Sequence, residues 1–224
     1  MKKLIVVTGG SKGIGRAIVD KFVGEGYEAV VCARNVDGLQ GPGLLPFAAD
    51  LSTRAGVEAL ITYLNGLNRP VDVLVNNTGT FLPGQLHNEA EGTFETMLNT
   101  NVASAYHLTR GLVGGMIARR EGHIVMMCST ASITAYTNGG SYCISKFALL
   151  GMSRVLREEL KPSGVRVTAI LPGATLTASW EGADLPPDRF MQPADVAEAV
   201  WTACALPKSA VIEEILLRPQ LGDI

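Results

Sequence analysis

Seven short, almost unbroken apolar runs recur along this chain of 224 residues, separated by longer segments in which apolar residues return every three or four positions. The runs are KLIVVT, EAVVCA, LLPFAA, VDVLVN, GHIVMMCS, VRVTAILP and AVIEEILLR. A strand that is apolar along its whole length, rather than at every second residue, is buried on both faces. The segments between the runs predict helices over about 13–25, 52–66, 90–119, 141–161 and 193–205. Strand and helix in alternation imply right-handed crossovers. The expectation is therefore a single doubly wound, Rossmann-like α/β domain over residues 1–224, with a seven-stranded, mostly parallel sheet and helices on both faces. A hydrophobic share of 47% is ample for one continuous core.

Two stretches break the alternation. RNVDGLQGPGLLPFAAD, residues 34–50, is too rich in Gly and Pro for a full crossover helix, so a loop or a helical stub is expected there. PGATLTASWEGADLPPDRFMQP follows the sixth run, and loops after strands in such a sheet border the ligand crevice. Residues 172–193 are thus the candidate substrate lid.

Charge and cysteine usage exclude several partners. Lys and Arg total 19 against 21 Asp and Glu, with no block of like charge, so neither nucleic acid nor an anionic membrane surface is expected. No apolar run reaches the roughly 18 residues of a membrane span, and MKKLIVVTGG breaks into Gly too early for a signal peptide. Cys32, Cys128, Cys143 and Cys204 lack metal-ligand spacing and sit in apolar stretches, as small buried hydrophobes do. No metal site and a cytoplasmic, reduced protein are the expectation.

TGGSKGIG lies between the first run and the first helical segment. Glycines at that place allow a tight turn and a close approach to a pyrophosphate, and a helix N-terminus attracts the anion. The candidate contacts are Gly9, Ser11, Lys12, Gly13, Ile14 and Gly15, although the spacing is not the strict G-x-G-x-x-G and a purely structural turn is the competing reading. At the end of the second run stand Ala33 and Arg34, where an acidic residue would select NAD. Arg34 and Lys12 offer positive charge to a 2′-phosphate and so point to NADPH; as plain surface charges, with Asp37 nearby, they leave NAD open.

GGSYCISKFALL puts Tyr142 one helical turn before Lys146. On a helix the phenol and the ammonium share a face, where a cation favours the ionised phenol. Of the five tyrosines only Tyr142 is followed by Lys four positions on; Tyr27, Tyr63, Tyr106 and Tyr136 are followed by Val, Leu, Arg and Gly.

With TGGSKGIG, Asp50, NNTG from Asn76, Asn101, Ser129, Tyr142 with Lys146, and PGATLT from Pro172 in this order, the chain resembles a short-chain dehydrogenase/reductase over nearly its full length. The resemblance implies NADPH/NADP as cofactor and a catalytic tetrad. Tyr142 would protonate a substrate carbonyl oxygen as hydride reaches its carbon. Lys146 would assist the phenol and bind the nicotinamide ribose. Ser129 would hold the carbonyl oxygen, and Asn101 would hold a water that feeds the proton relay. It also implies adenine contacts from Asp50 and Leu51, ribose contacts from Asn77 and Gly79, and a carboxamide contact from Thr177 behind Pro172 and Gly173. Asp50 competes as a helix cap, and Asn76 and Asn77 as stitches between strands. His87, His107 and His123 fall outside every motif and read as structural or surface residues. Assembly as a homodimer or homotetramer is implied as well.

Thr78 stands where the family has Ala, the crossover after Arg34 is short, and the chain ends in EEILLRPQLGDI. That ending, with YCISKF and PGATLTASW, is similar to bacterial sepiapterin-reductase-like members. The leading substrate is therefore sepiapterin or a related pterin; a broad-specificity carbonyl or 3-oxoacyl reductase, and a non-catalytic NADPH-sensing regulator, are the alternatives. Phe81, Trp180 and Phe190 form either an apolar wall against a flat small-molecule substrate or part of the core.

Overall fold

The computed structural model describes residues 2–180, 182 and 184–224. Seven strands, β1 (Leu4–Thr8), β2 (Glu28–Ala33), β3 (Leu44–Ala48), β4 (Val73–Asn76), β5 (Gly122–Met127), β6 (Val165–Pro172) and β7 (Glu214–Leu217), form one sheet in the order β3-β2-β1-β4-β5-β6-β7. Every pairing is parallel. Six α-helices accompany them: α1 (Gly13–Gly24), α2 (Arg54–Gly66), α3 (Thr93–Leu98), α4 (Ser104–Arg119), α5 (Gly140–Leu160) and α6 (Pro193–Ala205).

The pleat of β1 explains the unbroken apolar runs. Leu4 and Val6 enter a core shared with α2, α4 and α5, while Ile5 and Val7 enter a second core under α1 and α6. Both faces are covered, so the apolar run of β1 is unbroken from Leu4 to Val7. In the second core Phe22 is fully buried and takes Tyr27 and Trp201 edge-on at 5.2 and 5.1 Å. Among the strands only the outer ones, β3 and β7, hold exposed residues, as sheet edges must.

The crossover expected to lack a full helix does lack one, and the expected helices are present with one difference. The crossover from β2 to β3 is irregular, with Gly38, Gly41 and Gly43 at positive φ. The segment expected as one long helix over 90–119 is broken, because a π-helical turn over Asn99–Ala103 separates α3 from α4. Such turns widen the helix locally and recur at functional sites. No helix among the described residues is long and apolar enough to cross a membrane. All four cysteines are free and buried, and burial pushes the Cys128 thiol up to about 11.

His123 is the second residue of β5 and is 1% exposed. The Thr168 hydroxyl donates to the Ile212 carbonyl at 2.6 Å, so it accepts from His123 Nε2 at 2.7 Å and leaves Nδ1 without a partner. Burial, and then the Arg166 charge, push the imidazole from 6.5 down to about 3. The folded protein therefore keeps His123 neutral while the unfolded chain protonates it, and stability falls as pH drops from 6.5 toward 3. By pH 5.5 this linkage amounts to a loss of about 1.4 kcal/mol relative to pH 8. Urea unfolding of His123→Gln at the two pH values is expected to lack that loss; an equal loss in the variant assigns it to other groups.

Candidate active site

Between β1 and β4 the strand order reverses, and at such a switch point the loops leaving the two strands border the ligand crevice at the carboxyl end of a doubly wound sheet. Thr8 ties its two walls together. Its Oγ1 accepts from the backbone N–H of Asn77 and of Thr78, both at 2.9 Å. Asn77 completes the seam by donating from Nδ2 to the carbonyls of Thr8 at 2.9 Å and Gly9 at 3.1 Å. The competing reading of Asn77 as a stitch therefore describes its side chain. Asn76 stitches too, reaching Thr109 Oγ1 at 3.0 Å in the buried layer under α4.

The turn from β1 into α1 needs its glycines. Gly9 and Gly13 have φ of +65° and +55°, a region that side chains other than glycine's rarely adopt. Gly10, which the sequence reading passed over, has no room either, since a Cβ there would stand 2.9 Å from Val31 Cγ1. The helix then starts at an extended Lys12 with no side-chain cap and no acidic residue in the first turn. Its first N–H groups are thus available to an anion, and the opposite wall comes close: Thr177 Cγ2 lies 3.4 Å from where a Gly13 Cβ would be. Ser11 and Ile14 are half-buried and Lys12 and Arg34 exposed around the same turn. An uncapped helix start, a backbone stripped of side chains and two exposed cations fit a dinucleotide phosphate.

On the adenine side the fit is partial. Asp50 Oδ1 accepts from Ser52 N at 3.0 Å and Ser52 Oγ at 2.7 Å, and these bonds, helped by the Arg34 charge, hold the carboxyl below its ordinary range. Asp50 therefore shapes the entry to α2, while Thr53 is the residue that caps it, through Gly56 N. The Leu51 side chain is 5% exposed and packs in the core, which leaves only its backbone to a ligand. Gly173 N donates to Leu217 O at 2.8 Å, pinning the Pro172–Gly173 end of β6 to β7.

The reactive groups converge below Gly79. A side chain there would stand 3.4 Å from Asn101 Oδ1 and 3.7 Å from Lys146 Nζ. Asn101 sits on the π-helical turn, 1% exposed, and exchanges bonds with Thr80: its Oδ1 accepts from Thr80 N at 2.8 Å and its Nδ2 donates to Thr80 O at 3.0 Å. Nδ2 also reaches Ser145 Oγ at 2.9 Å, and that hydroxyl donates to Tyr142 O at 2.7 Å. Lys146, 7% exposed, donates to Met127 O at 2.8 Å and lies 5.7 Å from the centre of the Tyr142 ring. Tyr142 itself is half-buried and meets the Phe81 ring edge-on at 4.9 Å.

Ser129 is 8% exposed two residues past the end of β5 and caps a short 3₁₀ turn that packs against α5, its Oγ accepting from Ala131 N at 3.1 Å. All four members of the expected tetrad thus lie at one end of the sheet. In the segment expected as a lid, Trp180 and Phe190 pair with each other, 5.0 Å apart, and Phe190 is 7% exposed. Glu181 and Ala183 of that segment lie outside the described residues. Among the described residues no His, Cys, Asp and Glu group has the arrangement of a metal site.

The short chain dehydrogenase family model matches residues 3–185. The chain is 33% identical to the sepiapterin reductase of Chlorobaculum tepidum, covering 100% of this chain and 99% of that protein. It is 31% identical to an NADP-dependent 3-hydroxy acid dehydrogenase of Salmonella typhi, over 96% of this chain and 94% of the relative. Its fold is similar to the closed form of a serine dehydrogenase complexed with NADP+, with a TM-score of 0.89 and 30% identity over 99% of this chain and 96% of that one. With a doubly wound sheet, a glycine turn at the switch point and a Tyr-Lys pair beside it, the chain belongs to the short-chain dehydrogenase/reductase family of oxidoreductases.

Proposed function

We propose that the protein reduces a ketone, diketone or aldehyde to the alcohol with NADPH, Tyr142 giving the proton. The observation that carries this reading is the convergence of Tyr142, Lys146 and Asn101 below Gly79, across the crevice from an anion-ready helix start. NADPH supplies a hydride to the carbonyl carbon when bound. The carbonyl carbon gains that hydride, its oxygen takes the phenolic proton, and C=O becomes CH–OH. The Ser129 hydroxyl donates to the same oxygen and orients it. Lys146 spends one N–H on Met127 O, which keeps two for the phenol and the cofactor ribose. Asn101 and Ser145 tie the helix turn of Tyr142 to the loop of Thr80, so the donor is fixed before substrate arrives.

For the substrate we infer sepiapterin or a related pterin. The Chlorobaculum tepidum relative supports the choice by its name, and Phe81 beside Tyr142 supports it by its shape, because an aromatic edge at the proton donor suits a flat ring. A second reading, oxidoreduction of a 3-hydroxy or 3-oxo acid, rests on the Salmonella typhi relative. Cofactor oxidation followed with sepiapterin, a diketone, an aromatic aldehyde and a 3-oxo acid, with NADPH and then NADH, separates them. Arg34 and Lys12 predict at least about a tenfold preference for NADPH, the effect of one charge-assisted bond to the 2′-phosphate. Sepiapterin as the best substrate is the expected result. Turnover of the acid alone overturns the pterin reading, and tight NADPH binding with no turnover favours a sensor.

A further inference from the structure

Helix α5 carries both Tyr142 and Lys146, yet it has no cap of its own. Its N-cap is Gly139, which has no side chain, and its first turn holds no acidic residue. The carboxylate that serves instead comes from Glu89, in the loop between β4 and α3. Oε1 of Glu89 accepts from Ser141 N at 2.8 Å, and Oε2 accepts from the Ser141 hydroxyl. Ser141 is fully buried and adjoins Tyr142 in the chain.

The surroundings are shaped to this contact. A Cβ on Gly140 would stand 1.9 Å from Glu89 Oε1 and 2.7 Å from Gly84 O, so glycine alone admits the carboxylate. Gly84 forms an isolated parallel bridge with Gly139, and its N–H donates to Asn138 O at 3.1 Å. The same loop carries Phe81, whose ring abuts the Tyr142 ring. Loop and helix are thus joined on the backbone side of Tyr142 by Glu89 and on the ring side by Phe81.

We propose that Glu89 is a positioning residue that holds the phenol of Tyr142 in register with the reacting carbonyl by clamping the first turn of α5 through Ser141. An unclamped first turn frays, since its N–H groups have no partners within the helix. A carboxylate at that end is favoured by the helix dipole and by charge-assisted bonds. Displacement of a reacting group by about 1 Å is enough to cost roughly a hundredfold in rate. The proposal rests on Tyr142 as proton donor.

The test uses the full chain loaded with NADP+, with ring-13C tyrosine at its five positions and the Tyr142 resonance assigned through Tyr142→Phe. In Glu89→Ala the Tyr142 resonance is expected to move or split while the other four hold. With the best carbonyl substrate, kcat is expected to fall about 10- to 100-fold and the KM for NADPH to change less than about twofold. Glu89→Gln keeps an acceptor for Ser141 N and is expected to restore both readouts. Ser141→Ala, which loses only the hydroxyl bond, is expected to show a smaller change of the same kind. An unmoved Tyr142 resonance with wild-type kcat overturns the clamp. So does a loss in which every tyrosine resonance and the NADPH KM shift together, because that is general unfolding. If the wild type reduces no carbonyl, the function proposed above fails, and the Tyr142 resonance, which needs no substrate, decides the clamp by itself.

Discussion

Tyr142→Phe is expected to lose at least about a thousandfold in kcat while still binding NADPH, a drop within the usual range for removal of a general acid. The substitution deletes one oxygen and little else. The Phe ring keeps the edge contact with Phe81, 4.9 Å between centroids, and its place 5.7 Å from Lys146 Nζ. The Ser145 bond to the carbonyl of residue 142 and the Asn101 bonds to Thr80 do not involve the phenol. Fold and cofactor affinity should therefore stand, and steady-state rates beside a fluorescence titration with NADPH separate the two effects. A kcat within tenfold of the wild type would mean that water or another side chain delivers the proton. Equal losses of kcat and NADPH affinity would make Tyr142 a binding residue.

What the sequence disclosed, and what it hid, follows from how far each interaction reaches along the chain. The strands were legible because burial on both faces leaves an unbroken apolar run, as in LIVVT of β1. The Tyr142–Lys146 pair was legible because one helical turn spans four residues. The π-helical turn at Asn99–Ala103 was not, since NTNVA differs from ordinary helix only in how its backbone bonds close. Asp50 and Leu51 had the right place in the chain, but the Ser52 bonds and the burial of Leu51 depend on local packing that no motif reports. Glu89 escaped because its partner Ser141 is 52 positions away, and nothing in LHNEAEG marks one acidic residue over the next. Local periodicity reveals the elements, while contacts between loops emerge only when the sheet has brought them together.

The glycine turn yields the second large effect. Gly15→Ala is expected to weaken NADPH binding at least about a hundredfold, or roughly 2.7 kcal/mol, and to lower the melting temperature as well. Its Cβ would fall 2.3 Å from Gly9 O, 2.9 Å from Gly9 C and 2.5 Å from Asn77 Nδ2. Two of these atoms are backbone, and Asn77 Nδ2 is already committed to the carbonyls of Thr8 and Gly9. No rotamer change relieves the clash, so α1 must move away from the turn or the turn away from β4. Such overpacking ordinarily costs about 1–3 kcal/mol of stability. Either movement displaces the helix start whose uncapped N–H groups face the crevice, which is why affinity suffers more than the fold. Gly114→Ala on α4 is the control: a Cβ there meets nothing within 4 Å, and the exchange in a helix interior is expected to stabilise by about 0.5–1 kcal/mol without touching affinity. Should Gly15→Ala bind NADPH as the wild type does, with Gly114→Ala behaving as stated, the phosphate lies elsewhere than at the start of α1.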